Sequence, residues 1–324
     1  MMSGLVSIVL PTYTRAHMLA YAIRSVLTQT YENFELIVVD DNSKDDTPEV
    51  VRGFDDSRIR YFRNETNLKL PGALNKGFAA AGGDYLTWTS DDNLYATDAI
   101  EKMVFALESR AADFVFADYY DFARHEEGTG APMNPRRVGL PGILRLDERN
   151  SVGACFMYTR AVYEAIGAYD PELFLVEDYD YFIRIQRAGF RIAHIPEALY
   201  YFSRHDDALF CSRFAEVQAA GILVRYKNAL LDKDKAAQAC VALVMRDPSV
   251  LKNPLLRNLY VALKRTSFTL TRAYERMVRA YVQYALEIRV SRLLDRFSSR
   301  AMSFPQAKDA LKELLQGVAT LEYK

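Results

Sequence analysis

The chain has 324 residues, 50% hydrophobic and 26% charged, the composition of a soluble globular protein with room for two domains. Its formal net charge of −1 conceals a split: residues 1–210 carry 21 Lys+Arg and 32 Asp+Glu, a balance of −11, while residues 211–324 carry 20 and 10, a balance of +10. Three cysteines (Cys155, Cys211, Cys240) without C-x-x-C spacing argue against a zinc site or a disulfide framework and fit a reducing compartment. No run reaches the about 18 apolar residues of a membrane span, and Leu5–Leu10 is too short for a secretory leader, so a cytoplasmic protein is expected.

In chain order, Val6–Leu10 reads as a buried strand, followed by the loop Pro11-Thr12-Tyr13-Thr14-Arg15. His17–Leu27 has helical spacing, with Leu19, Ile23, Val26 and Leu27 on one face. Phe34–Val39 is the next strand and runs into Asp40-Asp41-Asn42-Ser43, where Ser43 or Asp45 caps a short helix through Thr47 and Val51. Arg58–Phe62 reads as a strand, 64–72 as a loop, and Ala73–Ala81 as a helix ended by Gly82-Gly83. Tyr85–Trp88 is a strand that stops at Ser90-Asp91-Asp92-Asn93. Ala96–Ser109 is an amphipathic helix and Asp113–Asp118 a strand. This alternation predicts a three-layer, mostly parallel α/β sheet.

Residues 124–150, rich in Pro, Gly and Arg, read as an inserted flap. A strand over 153–158 and a helix over Arg160–Ile166 follow, and Glu177-Asp178-Tyr179-Asp180 opens a helix to Arg187. Arg191–Ile195 and Ala198–Phe202 read as two last strands before Arg204-His205. The remainder is helical, with 255–297 a long helix or helix pair.

Paired acids stand at two strand ends, Asp40/Asp41 and Asp91/Asp92, and a third cluster opens a helix. Alone, each is readable as a turn or cap. Together they suit a divalent cation with a phosphate-bearing ligand, since Mg2+ or Mn2+ takes one or two carboxylates, phosphates and water.

The runs Val6–Tyr13, Ser25–Tyr31 and Phe34–Ser43, with Asn75-Lys76-Gly77, Gly83-Asp84-Tyr85, Glu177–Asp180 and Arg204-His205, resemble a family 2 glycosyltransferase of the GT-A fold. The Ser90-Asp91-Asp92-Asn93 box is most similar to the spore-coat polysaccharide branch of that family. The resemblance covers residues 4–209 and implies a catalytic domain over 1–209 and a basic helical domain over 210–324. It implies that Pro11, Thr12 and Tyr13 pass the nucleotide base, that Asp41 accepts from uracil N3–H, and that Asp91 binds the ribose. It gives Asp92 and His205 to Mn2+ or Mg2+, Arg204 to phosphate, and the role of catalytic base to Asp178, with Glu177 or Asp180 as alternatives. The implied reaction is inverting transfer from a UDP-sugar to a hydroxyl in bacterial surface-polysaccharide or glycoconjugate synthesis. Ser90 stands where the family commonly has an acid, so metal affinity without nucleotide is expected to be weak.

Between 251 and 300 stand 11 Lys+Arg and 3 Asp+Glu, interleaved with Tyr and Phe. One reading is contact with the inner membrane face or a lipid-linked acceptor; another is a homo-oligomer or packing surface; nucleic acid is disfavoured by the acidic first domain. A non-catalytic nucleotide-sugar-binding scaffold and a nucleotidyltransferase are the competing functions.

Overall fold

The computed structural model describes residues 4–205, 208–245 and 268–317. The chain divides into two compact units, 1–212 and 213–324.

The first unit runs β1 (Val6–Thr12), α1 (Ala16–Leu27), β2 (Phe34–Asp40), α2 (Thr47–Arg52), β3 (Ile59–Arg63), α3 (Lys69–Ala80), β4 (Tyr85–Trp88), β5 (Leu94–Tyr95), α4 (Ala99–Ser109), β6 (Phe114–Phe122), β7 (Arg136–Val138), β8 (Phe156–Thr159), α5 (Arg160–Ile166), α6 (Glu177–Arg187), β9 (Ile192–Ser203) and α7 (Leu209–Ser212). The sheet order is β3-β2-β1-β4-β8-β6-β9-β5, with β7 paired to β6. β1, β2, β3 and β4 pair in parallel, as do β6 and β9. β8 lies antiparallel between β4 and β6, and β5 and β7 are antiparallel additions. This is the mostly parallel, three-layer GT-A architecture.

Strand alternation sorts the core into two layers. On one face Val6, Ile8, Leu10, Leu36, Val38, Val115 and Ala117 pack with Leu19, Ile23 and Val26 of α1 and Ile100, Met103 and Val104 of α4. The other face is aromatic: Phe114 and Phe156 meet Phe182 of α6 edge-on at 5.5 and 4.9 Å, and Phe78 of α3 lies 6.1 Å from Tyr158. Both faces are covered, which is why the parallel strands read as continuous apolar runs.

Among the differences from the sequence reading, β6 runs on to Phe122, the short strands β5 and β7 were not expected, and three others shape the site. α3 begins at Lys69, inside the expected loop, because Pro71 stands in the first turn, where a missing N–H costs nothing. The two last strands are one, β9; the register jumps from Ala117 opposite Ile195 to Asp118 opposite Ala198, a bulge that absorbs Pro196 and Glu197. Ser43 does not cap α2: its Oγ accepts from Thr14 N–H at 2.9 Å, while Asp45 accepts from Thr47 N–H at 3.3 Å and from Ala16 N–H at 2.9 Å. Ser43 and Asp45 thereby latch the loop after β1 to the loop after β2.

Residues 124–150 are pinned by charge to β6. Arg136 pairs with Asp121 at 3.3 Å and Arg137 with Asp118 at 3.0 Å, and Asp118 also accepts from Leu140 N–H and faces His194 Nε2, each at 2.8 Å. The second unit contains α8 (Phe214–Lys227), α9 (Lys233–Met245), α10 (Phe268–Ser298) and α11 (Phe304–Gly317). Leu223, Cys240, Leu286, Val290, Leu294 and Leu311 are buried. The segment 251–267 of the basic stretch lies outside the described residues.

Gly77 lets α3 settle on the sheet: a Cβ there would collide with Val9 and lie 3.2 Å from Val39 Cγ2. Gly77→Ala is expected to lower stability by about 1–2 kcal/mol in a urea titration, although alanine is the better helix former, because overpacking outweighs propensity.

Candidate active site

Register places the first part of the site. β1 and β4 are parallel neighbours with Val9 opposite Trp88, and Thr89 N–H continues the ladder to Val9 O at 3.0 Å. Three residues beyond that pair on each chain stand Thr12 and Asp91, and Thr12 Oγ1 donates to Asp91 Oδ2 at 2.8 Å. On the other side of β1, Thr12 is opposite Asp40, and Asp41 N–H donates to Thr12 O at 2.9 Å. Pro11, Thr12, Asp41 and Asp91 thus meet where strand order reverses around β1, the crevice in which such sheets bind ligands. Tyr13, next in the chain, is 50% exposed.

The acid pair is nearly closed to solvent, with Asp91 5% and Asp92 7% exposed. Burial, and then the charge of Asp92, push the Asp91 carboxyl up to about 6, against the pull of Arg15 and Thr12. One guanidinium nitrogen, Arg15 Nη1, donates to Asp91 Oδ1 at 3.2 Å and to Asp92 Oδ2 at 2.8 Å. His205 Nε2 lies 3.1 Å from the same Asp92 Oδ2. His205 arrives there because β9 pairs with β5, the two-residue strand directly after the acids; Ser203 N–H donates to Asn93 Oδ1 at 2.8 Å.

Of the first acid pair, only Asp41 is available to a ligand. Asp40 is fully buried, accepting from Ser43 N–H and from Tyr61 OH, each at 2.7 Å. Asp41 Oδ1 accepts from Asn64 Nδ2 and Leu68 N–H, each at 2.8 Å, leaving Oδ2 without a protein donor among the described residues. Lys76 Nζ donates to Asn64 Oδ1 at 2.7 Å. Lys76 therefore orients the amide that orients Asp41.

Arg204 and Asp178 make their contacts elsewhere. Arg204 Nε is 2.8 Å from Asp121 Oδ1, and its guanidinium lies over Phe202 and Phe210 at 5.7 and 5.8 Å. Asp178 stands in the first turn of α6; its Oδ1 accepts from Tyr179 N–H at 2.6 Å and its Oδ2 from Asn150 Nδ2 at 3.0 Å. Burial pushes its carboxyl up to about 6 against those bonds. Its neighbours are committed: Asp180 pairs with Arg184 at 2.8 Å and Glu177 accepts from Leu175 N–H at 2.8 Å.

Arg15, Asn64 and Asn150 were not singled out by the sequence reading. Arg15 had a signal, as the first cation after the β1 loop; the two asparagines had none. Trp88, at the end of β4, is only partly buried.

The donor set fits a divalent cation of the Mg2+ or Mn2+ kind. Asp92 Oδ2 and His205 Nε2 supply a hard oxygen and an imidazole side by side. Among the described residues no group of three or more His, Cys, Asp or Glu converges as a cage, so phosphate and water would complete the coordination.

The model of Glycosyl transferase family 2 matches residues 7–167. Putative glycosyltransferase EpsE of Bacillus subtilis is 31% identical over 261 residues, covering 78% of this chain and 88% of that protein. The chain belongs to glycosyltransferase family 2. A relative from Escherichia coli, the UDP-Glc:alpha-D-GlcNAc-diphosphoundecaprenol beta-1,3-glucosyltransferase WfgD, is 35% identical over 141 residues, covering 44% of this chain and 55% of that protein. The family 2 chain spans only 34% of the length of its Rickettsia felis and Rickettsia conorii relatives. Among solved structures, the mannosyltransferase PcManGT from Pyrobaculum calidifontis with GDP-Man and Mn2+ superposes with a TM-score of 0.57 at 16% identity, over 99% of this chain and 88% of that one. S. aureus TarS 1–349 in complex with UDP-GlcNAc gives 0.53 at 17%, over 98% and 92%. At these identities the likeness concerns the fold.

The raised Asp178 carboxyl has a cost in stability. Between its unfolded value, 3.8, and about 6 the folded chain holds a proton that the unfolded chain has released, so this group's contribution to stability is full below about pH 4 and is lost as pH rises through 6. Asp178→Asn is expected to stabilise the fold by about 2 kcal/mol at pH 8 and by little at pH 4, measured by denaturant titration at both.

Proposed function

We propose that this glycosyltransferase carries a sugar from a UDP-linked donor to an acceptor hydroxyl, with inversion. The observation that carries the reading is the placing of Asp41, Asp91 and Asp92 at the ends of β2 and β4, the two parallel strands that flank β1, with Thr12 bonded to both Asp41 and Asp91. An open carboxylate oxygen on Asp41 matches the N3–H donor of uracil and would repel a base presenting only acceptors there. Tyr13 offers an exposed ring beside it and Pro11-Thr12 the backbone edge. Asp91 has acceptor capacity for ribose hydroxyls beyond its bonds to Thr12 and Arg15. Asp92 and His205 would hold Mn2+ or Mg2+, which neutralises charge growing on the departing diphosphate. Arg204, steadied by Asp121, supplies a cation next to His205 for phosphate.

Asp178 is the proposed base. The acceptor oxygen attacks the anomeric carbon as the bond to the diphosphate breaks, and its proton passes to an Asp178 oxygen. A base with a carboxyl near 6 is ionised at neutral pH, yet basic enough to take that proton. Asn150 and the N-terminal dipole of α6 hold its charge and orientation.

The UDP-sugar and lipid-diphosphate named for WfgD support a UDP donor and a lipid-linked acceptor here. Among the described residues no helix is long and apolar enough to cross a membrane. Exposed Tyr284, Ile288, Arg289, Arg292 and Arg296 on α10 suit peripheral contact with anionic lipid; a homo-oligomer is the other use proposed for this basic region. The setting proposed is the cytoplasmic membrane face, in surface-polysaccharide or glycoconjugate assembly.

The deciding experiment is a thermal-shift screen of nucleotide-sugars with Mn2+, in which a UDP-sugar should raise Tm more than its GDP or CDP counterpart. A response to GDP-sugars alone would overturn the assignment of Asp41. Asp178→Asn should cut turnover by at least about 10³-fold while UDP binds as before, and wild-type kcat/KM should fall as pH drops below about 6. Retained turnover in that variant would remove Asp178 as the base.

A further inference from the structure

We propose that Arg15 is the resident counter-cation of the acid pair and that it transfers to the donor's diphosphate when nucleotide and divalent cation enter together. The proposal rests on the reading of the site given above. Two adjacent carboxylates at 5% and 7% exposure need a positive partner. Arg15 provides it through a single nitrogen that touches both acids. The arrangement resembles a bridging ion more than a fork-to-fork ion pair, and it occupies the oxygen, Asp92 Oδ2, that also faces His205. A divalent ion arriving alone would meet that guanidinium at the same oxygen and be repelled.

The backbone keeps Arg15 in reach of both partners. Its carbonyl accepts from Met18 and Leu19 N–H at 3.0 and 3.1 Å, fixing its Cα at the start of α1. Ser43 and Asp45 hold the residues on either side, Thr14 and Ala16. The side chain is 21% exposed, more open than either acid it bridges. Guanidinium matches phosphate geometry at least as well as it matches carboxylate. A diphosphate would therefore give Arg15 a new partner and the incoming ion extra oxygen ligands in one event. Ser90, at a position where the family commonly carries an acid, adds no carboxylate of its own to outbid the guanidinium.

The test is Mn2+ binding followed by electron paramagnetic resonance, with UDP binding by calorimetry, on wild type, Arg15→Met and Arg15→Lys. Without nucleotide, Arg15→Met should bind Mn2+ at least about 10-fold tighter than wild type, while Arg15→Lys, which keeps the charge, stays within about 3-fold. With Mn2+ present, Arg15→Met should bind UDP at least about 10-fold more weakly. A merely structural arginine would weaken both. The proposal is overturned if Arg15→Met binds Mn2+ alone no more tightly than wild type, or if it binds UDP unchanged. Wild type adds an arm that needs no variant: UDP, but not uridine, should raise its Mn2+ affinity, and equal affinity in all three states would sink the idea. Failure of UDP to bind at all would instead strike the nucleotide reading, and the Mn2+ comparison between variants would still decide whether Arg15 guards the acids.

Discussion

Burying two neighbouring carboxylates is the constraint from which the rest of the first unit follows. Asp91 and Asp92 lose nearly all their water, and burial, with the charge of Asp92 beside it, raises the proton affinity of Asp91. The fold answers from three directions. β1 delivers the Thr12 hydroxyl, the loop after it delivers the Arg15 guanidinium, and β9 delivers His205. Two of them depend on a sheet pairing: β1 on β4 for Thr12, and β5 on β9 for His205. Without these the acids would be ordinary turn residues in water.

Four of the eight non-glycine residues with positive φ among the described residues stand in loops around the candidate site. Thr14, Asn42, Lys69 and Leu175 have positive φ, from 54 to 88°, although none is glycine. They follow β1, follow Asp41, open α3 beside the Leu68 amide that bonds Asp41, and precede α6. Backbone in the left-handed region persists where surrounding bonds over-determine it. Here these are the Ser43 and Asp45 latches, the Asp41 bond to Leu68 N–H, and the Glu177 bond to Leu175 N–H. The strain and the raised Asp178 carboxyl are both costs in stability, held by a core that is apolar on one face of the sheet and aromatic on the other.

The Asn75-Lys76-Gly77 motif illustrates how far a motif can be read before its contacts are known. As sequence it resembled a family signature without a physical task. In the fold each residue has one: Asn75 clamps the backbone of Tyr169 through two bonds of 2.8 Å, Lys76 reaches Asn64, and Gly77 brings α3 onto β1. Lys76 Nζ also donates to Arg63 O at 3.1 Å. Its side-chain partner Asn64 lies 12 residues away, across the first turns of α3 and the loop before it, a distance that helical periodicity cannot express.

Local chemistry made much of this protein legible as sequence. Apolar β-branched runs marked the parallel strands, because both faces of such a sheet are covered, and the acids at strand ends marked the crevice, because turns and ligands share that edge. Family motifs carried the glycosyltransferase reading, which the matches to the family model and to EpsE support. The pairing of β9 through a bulge, the separation of buried Asp40 from open Asp41, and the guanidinium between Asp91 and Asp92 were decided only in three dimensions. The physical reason is the same in each case. A residue's neighbours along the chain set its backbone, but its charge and hydrogen bonds are settled by partners about 20 to 110 residues away, brought close by strand register.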